Sequence, residues 1–520
     1  MFRLLVAALA ALVMATVLPA AAHADASDTV CTIDTTLDLG GGEWPLFKED
    51  DKVEPTTISG NATCTGPYLE EPLRMTITGA GNQTLKECWP AEGSSFAYDG
   101  TIVFTNQYGL RDTRTLHTSD GTGTSESIGG FTVGGNPDIT SQLTYHFDGS
   151  RCSLGGGSSD VDVTGTFRVA VAKDNPRFFS SFGALEHPDP IATSADGATV
   201  YTGSFTTALS VLADRPPPNL NPSRIWALDA TTAQLKRTYT ITGQTLDKGH
   251  GLTGIALDAA GRLYVTDVNP ARVLRIDPVT GAQSTYATLP NRIPCSQGGP
   301  AGNCSSEDMQ FGDRPPLPNG AAFGADGSLY VTDTAQGLIW KVPPGGGSAS
   351  VWYTNPALAS YIGPNGIRLM ADQRTLMFVH SNSQPPGAAD GLLGAVYKLP
   401  IQADGRPGSL QLFWRGGTNE GPDSLALSQA GNVYVAEAGD GGRTGFVVLS
   451  PGGRVIARRQ APAHRLSLDV AYDTVADVAF VGTRAIFTNS ANFTGNPMNM
   501  GLFVYDVGDP GLPVLRPAVP

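Results

Sequence analysis

Between residues 25 and about 175 the chain alternates apolar and polar positions in short runs. Leu73-Arg74-Met75-Thr76-Ile77-Thr78 and Thr101-Ile102-Val103-Phe104 are two of them. Thr-rich alternation broken by Gly, Asn and Asp predicts half-buried antiparallel strands. The stretch predicts a small β-sandwich-like domain over 25–175, with residues 121–135 as a loop. It contains no catalytic constellation.

From about residue 180 the pattern becomes repetitive. A turn, an inner run and a D-G-like turn lead into a run of the shape apolar-Tyr-Val-Thr-Asp. The repeats read PDPIATSADGATVYTGS (188–204), LTGIALDAAGRLYVTDV (252–268), PNGAAFGADGSLYVTDT (318–334), PNGIRLMADQRTLMFVHS (364–381) and PDSLALSQAGNVYVAEA (422–438). A shorter sixth is ADVAFVGTRAIFTNS (476–490). Third and fourth runs follow most of them, such as Gly337-Leu-Ile-Trp-Lys-Val342 and Ser348-Ala-Ser-Val-Trp-Tyr353. Four strands per unit, repeated six times, predict a six-bladed β-propeller over 180–520 in an all-β chain.

Composition agrees. The 520 residues include 63 Gly and 38 Pro, a turn-rich balance that excludes a helical bundle. A net charge of -14 without a dense Lys/Arg cluster excludes nucleic acid as the main partner. Arg3, an apolar run from Leu4 to Leu18 and Ala22-His23-Ala24 describe a secretory signal peptide over 1–24, too short to span a bilayer. No later stretch could span one, and the Ala/Gly/Arg-rich style suggests a bacterium. In a secreted chain, the six cysteines predict disulfides. Cys295 and Cys304 bracket a Gly/Pro-rich loop and are expected to pair locally. Cys31, Cys64, Cys88 and Cys152 allow three connectivities, of which Cys31–Cys64 with Cys88–Cys152 is preferred.

The first strand of each blade lines a propeller's channel, so a residue just before it recurs at one height. Counting eight residues back from each turn glycine gives Asp189, Thr253, Asn319 and Asp423; counting from Gln373 gives Asn365. The sixth position falls on Ala476 or Asp477. Converging oxygen ligands suit a hard divalent cation, calcium above all, and the lack of convergent His or Cys disfavours zinc or copper. Asn and Asp also initiate turns, and Pro-Asn-Gly is turn chemistry in its own right.

The repeats resemble the regucalcin/gluconolactonase family of six-bladed propellers over about 180–515. Pro318-Asn319-Gly320, Pro364-Asn365-Gly366 and Pro422-Asp423-Ser424 carry the likeness. The resemblance implies a metal held by Asp189 or Glu186, Asn365 and Asp423. It also implies that Asn319 faces substrate or metal and that Asp423 is the base or nucleophile in hydrolysis of a lactone or ester. The family's first-blade residue is usually Glu, so both Glu186 and Asp189 are candidates, with register favouring Asp189. His250, just ahead of the second inner strand, is a candidate acid/base; His380 ends a second strand and reads as structural. No Gly-x-Ser-x-Gly elbow points to a serine hydrolase.

The rival reading is a non-catalytic extracellular binding propeller for a glycan or protein, with the N-terminal domain contacting a cell surface or another exported protein. No residue set selects a lyase. The 291–318 loop, joining the second and third blades, is a candidate lid if it emerges at the ring.

Overall fold

A computed structural model describes residues 29–38, 52–65, 72–85, 95–106, 111–121, 126–133, 139–147, 160–169, 177–180, 186–205, 220–291, 315–358, 360, 362–382, 393–418, 420–439, 444–460, 472–492 and 499–520. Almost all of them lie in antiparallel sheets or the turns between strands. No helix among the described residues is long and apolar enough to cross a membrane.

The N-terminal region is not the sandwich its alternation suggested. Eight antiparallel strands, from Thr29–Asp38 to Asp160–Val169, pair in sequence order. The last pairs with the first, Ile33 opposite Gly165, so one sheet closes into a barrel. Alternation is the same in both architectures, and curvature separates them. Gly60, Gly79, Gly81 and Gly100 lie on three adjacent strands. A Cβ at Gly60 would stand 2.3 Å from the Asp34 carbonyl, and one at Gly81 2.4 Å from that of Asp99. Missing side chains let strands coil tightly, and the buried Tyr98 ring covers Gly81 and Gly100. Ile33, Leu37, Ile58, Met75 and Ile77 are buried inside, while Thr32, Asp34, Arg74 and Thr76 are exposed outside. That polarity is the reverse of a lipid-facing barrel.

Cys31 and Cys64 face each other across the first two strands and form a disulfide. The expected Cys88–Cys152 and Cys295–Cys304 pairs lie outside the described residues, as does the signal peptide. The loop expected at 121–135 is largely a strand, Glu126–Val133, paired with both neighbours. Its glycines had masked the alternation in Phe131-Thr132-Val133.

Six further sheets of four main strands follow. Their innermost strands are Pro188–Thr193, Leu252–Leu257, Pro318–Phe323, Ile362–Leu369, Pro422–Leu427 and Val475–Val481. Each packs on the next and the sixth packs on the first, so the ring closes. One apolar core lies between each adjacent pair of blades. Between the first two, Ile225 and Tyr239 meet Leu252, Leu263 and Val265. Between the sixth and first, Ile486, Leu502 and Val504 meet Ile191 and Trp226. Strand Arg177–Ser180, which precedes the first blade, supplies the outer edge of the sixth by pairing with Gly501–Val504. This swap ties both ends of the repeat array together and leaves fewer open edges.

Candidate functional site on the propeller axis

Pro-Asn-Gly is not a turn here. Pro318-Asn319-Gly320 opens the third inner strand and Pro364-Asn365-Gly366 lies within the fourth. The glycines serve close packing. A Cβ on Gly254 would stand 2.4 Å from the Asn319 carbonyl, and one on Gly366 would meet Ser424 Oγ at 2.1 Å. Neighbouring inner strands therefore approach backbone to backbone beside the axis, and the residue before each glycine is presented to the channel.

The backbone of that ring is pinned from the preceding blade. Thr266 Oγ1 donates to the Asn319 carbonyl at 2.7 Å, Thr332 Oγ1 to that of Asn365 at 2.6 Å, and Thr488 Oγ1 to that of Asp189 at 2.8 Å. Thr266 and Thr332 are the threonines of the repeated apolar-Tyr-Val-Thr-Asp run. Their recurrence was visible in the sequence, but their partner lies in the next repeat, so only the fold explains it.

Asp189, Thr253, Asn319, Asn365, Asp423 and Ala476 line one small cavity, joined by Ser424, Asp477 and Arg368. Strand pairing settles the sixth register: Val475 lies opposite Asn489 as Pro318 lies opposite Asp333, so Ala476 matches Asn319. Asn365 is buried; Asp189, Asn319 and Asp423 are half-buried and open toward the axis. Asn365 Nδ2 donates to Ser381 Oγ at 2.8 Å and to Asp423 Oδ1, leaving its own Oδ1 to accept. Burial pushes the Asp423 carboxyl up to about 8, with Asp477 adding to the rise and the Asn365 hydrogen bond opposing it. Burial, then Asp423 and Asp477, hold Asp189 well above the usual carboxylate range. Two acids crowded into one narrow site do not both ionise readily without a compensating charge.

Asp477 is turned away from that task. Its Oδ1 accepts from Arg368 Nη2 and the Val478 N–H, both at 2.8 Å, and its Oδ2 from the Ile191 N–H at 3.0 Å. Arg368 has room to reach it because of the residues at its own height. Three positions beyond the ring, five blades carry Ala192, Ala256, Ala322, Ala426 and Ala479, and the fourth carries Arg368. Sequence reasoning missed this pair, although the lone departure from an alanine register was its signal.

Other expected residues are not brought to the axis. Glu186 is buried but does not line the axial cavity; its Oε1 has no hydrogen-bond partner, and burial pushes its carboxyl up to about 7 against the pull of Arg224. His250 is fully buried, with Nδ1 and Nε2 each 2.8 Å from a backbone carbonyl, those of Lys248 and Asn221. It clamps two loop segments and does not line the axial cavity. Burial lowers His380 to about 4, and its Nε2 lies 3.2 Å from both Ser360 Oγ and the Leu358 carbonyl, a structural setting. Most of the 291–318 loop lies outside the described residues. Its described end runs into Pro318 beside Asn319, at the ring.

The donor set fits a hard cation. The half-buried carboxylates of Asp189 and Asp423 and the side-chain amides of Asn319 and Asn365 line the cavity, and Ser424 Oγ is buried there without a partner. Among the described residues no three of His, Cys, Asp and Glu gather closely enough to hold a metal by themselves. A cation would therefore draw on the Asn and Ser oxygens as well.

No curated protein matches the chain. Among solved structures, regucalcin from Agrobacterium tumefaciens is 16% identical, over 65% of this chain and 94% of its own, with a TM-score of 0.42. A gluconolactonase from Xanthomonas campestris is 16% identical over 62% and 95%, TM-score 0.37. A catalytically inactive virginiamycin B lyase from Staphylococcus aureus is 16% identical over 74% and 92%, TM-score 0.37. Residues 350–470 match the family model described as SMP-30/Gluconolactonase/LRE-like region, and this span contains Pro364-Asn365-Gly366 and Pro422-Asp423-Ser424. The chain thus resembles the regucalcin/gluconolactonase family, and the propeller's fourth and fifth inner strands carry the likeness.

Proposed function

We propose that the axial site binds a divalent cation, calcium by preference, and that the chain is a secreted hydrolase of a lactone or ester. The observation that carries this reading is the convergence of Asp189, Asn319, Asn365 and Asp423 on one cavity that also holds the unpartnered Ser424 hydroxyl. A bound divalent ion would supply Lewis acidity toward a carbonyl or a water. Asp423 is the residue to take or give a proton, and Asn365 fixes it by donating to its Oδ1. Asn319 faces the same cavity and would orient substrate. The Cys31–Cys64 disulfide supports an exported chain.

The test is titration calorimetry with calcium on the signal-free chain and on Asp423→Ala and Asn365→Ala, followed by a pH-stat screen of lactones and aryl esters. Micromolar binding lost in both variants, with calcium-dependent turnover, is the expected result. No binding at millimolar calcium would remove the hydrolase reading. A non-catalytic binding propeller would then stand, supported by the engagement of His250 and Asp477 in structural contacts that leave neither free for proton transfer.

A further inference from the structure

Below the axial site the channel widens into a second cavity of about 330 Å³. The alanine register keeps it open, and Arg368 lines both cavities, forming the partition between them. The far end is covered by residues 511–516, part of an extended segment that crosses the propeller after its last strand. That segment is tied down blade by blade. The Gly511 N–H donates to the Gly482 carbonyl at 2.9 Å and the Leu512 N–H to that of Leu427 at 2.8 Å. Farther along, the Ala259 N–H donates to the Pro517 carbonyl at 3.0 Å, and Val519 is buried in the core between the second and third blades.

The segment brings a charge with it. Arg516 Nη2 donates to the Thr193 carbonyl at 2.8 Å, while its Nε is buried without a hydrogen-bond partner. No carboxylate among the described residues lies within ion-pair distance of it. The nearest influence is Asp196, whose Oδ1 is taken by Ser194 Oγ and the Ala198 N–H. Arg368, the other cation on the cavity wall, is committed to Asp477. Arg516 therefore lines the chamber without a direct ion-pair partner; Asp196 lines the same chamber and attracts it only at longer range, and most of the other lining residues are apolar. A guanidinium keeps its charge when desolvated and recognises carboxylates with a planar fork of donors.

We propose that this cavity binds a small organic carboxylate with an apolar body, its head group on Arg516 and its body along the alanine-lined channel. A volume of about 330 Å³ suits a ligand of roughly ten to fifteen heavy atoms. The site lies on the far side of Arg368 from the carboxylate ring and does not depend on cation binding there.

The experiment uses the whole signal-free chain and decanoate as the probe, with decan-1-ol and acetate as controls, by titration calorimetry with and without calcium. Decanoate is expected to bind at least tenfold more tightly than decan-1-ol, acetate not at all, and calcium to make no difference. Arg516→Gln should weaken decanoate at least tenfold and leave decan-1-ol unchanged, and Arg516→Lys should recover part of the loss. Ala479→Leu narrows the chamber from the sixth blade while keeping Arg516 itself, and should weaken decanoate, which keeps the test decisive if an Arg516 variant fails to fold. Absence of decanoate binding at millimolar concentration would overturn the proposal, as would equal binding by the parent and Ala479→Leu. Loss of calcium binding in Asp423→Ala with decanoate binding intact is the expected separation of the two sites.

Discussion

The Arg368–Asp477 pair can be tested as a unit inside the channel. Removing Arg368, as Arg368→Met, leaves a carboxylate whose side chain is only 9% exposed. Breaking a buried pair from one side costs about 3–5 kcal/mol. Asp477 keeps its hydrogen bonds from the Ile191 and Val478 N–H groups, which lowers the expected loss to about 2–4 kcal/mol. The reverse change, Asp477→Asn, leaves a guanidinium that is 17% exposed and can turn toward the larger cavity, so about 1–2 kcal/mol is expected. The double variant removes both charges and should recover about 2 kcal/mol of the summed loss. Urea unfolding followed by tryptophan fluorescence reads this out, since Trp226, Trp340, Trp352 and Trp414 all sit in propeller blades. If the single losses add within about 0.5 kcal/mol, the two residues are not coupled and the ion pair does not cross the channel.

Three further outcomes follow from the same geometry. The folded Asp423 carboxyl, at about 8 against an ordinary 3.8, retains a proton that the unfolded chain releases; cation-free stability should therefore fall as pH rises from about 4 to 8, and a flat pH series of urea midpoints, or one that Asp423→Asn leaves unchanged, would contradict this. Gly366→Ala would press a methyl group onto Ser424, so a loss of about 1–3 kcal/mol and weaker calcium binding are expected, and a neutral result by thermal melting would reject the close strand approach. Thr332→Val removes the hydroxyl that holds the Asn365 carbonyl; a loss of about 1 kcal/mol is expected, against little effect for a Val at the exposed strand position Thr288.

Much of this was legible in the chain because the propeller repeats itself. Each blade restates the same inner strand and turn, so Asp189, Asn319, Asn365 and Asp423 fall into register by counting alone, and the structure gathers them around one cavity. The sixth blade broke the count. Its turn is one residue short, and only strand pairing assigns Ala476 to the ring and Asp477 to the position after it. The barrel was misread as a sandwich because alternation reports which face is buried and is silent on how a sheet curves.

Periodicity, turn residues and composition are local properties, and by themselves they determined an all-β chain, six repeated units and a ring of oxygen-bearing side chains. The tertiary structure decided what depends on contacts between repeats. It closed the eight-strand sheet, gave Arg177–Ser180 to the sixth blade, and set His250 between two backbone carbonyls. It also joined Arg368 to Asp477 and laid residues 511–516 over a chamber with Arg516 on its wall. Those partners lie up to hundreds of positions apart in the chain, and no pattern within one repeat encodes them.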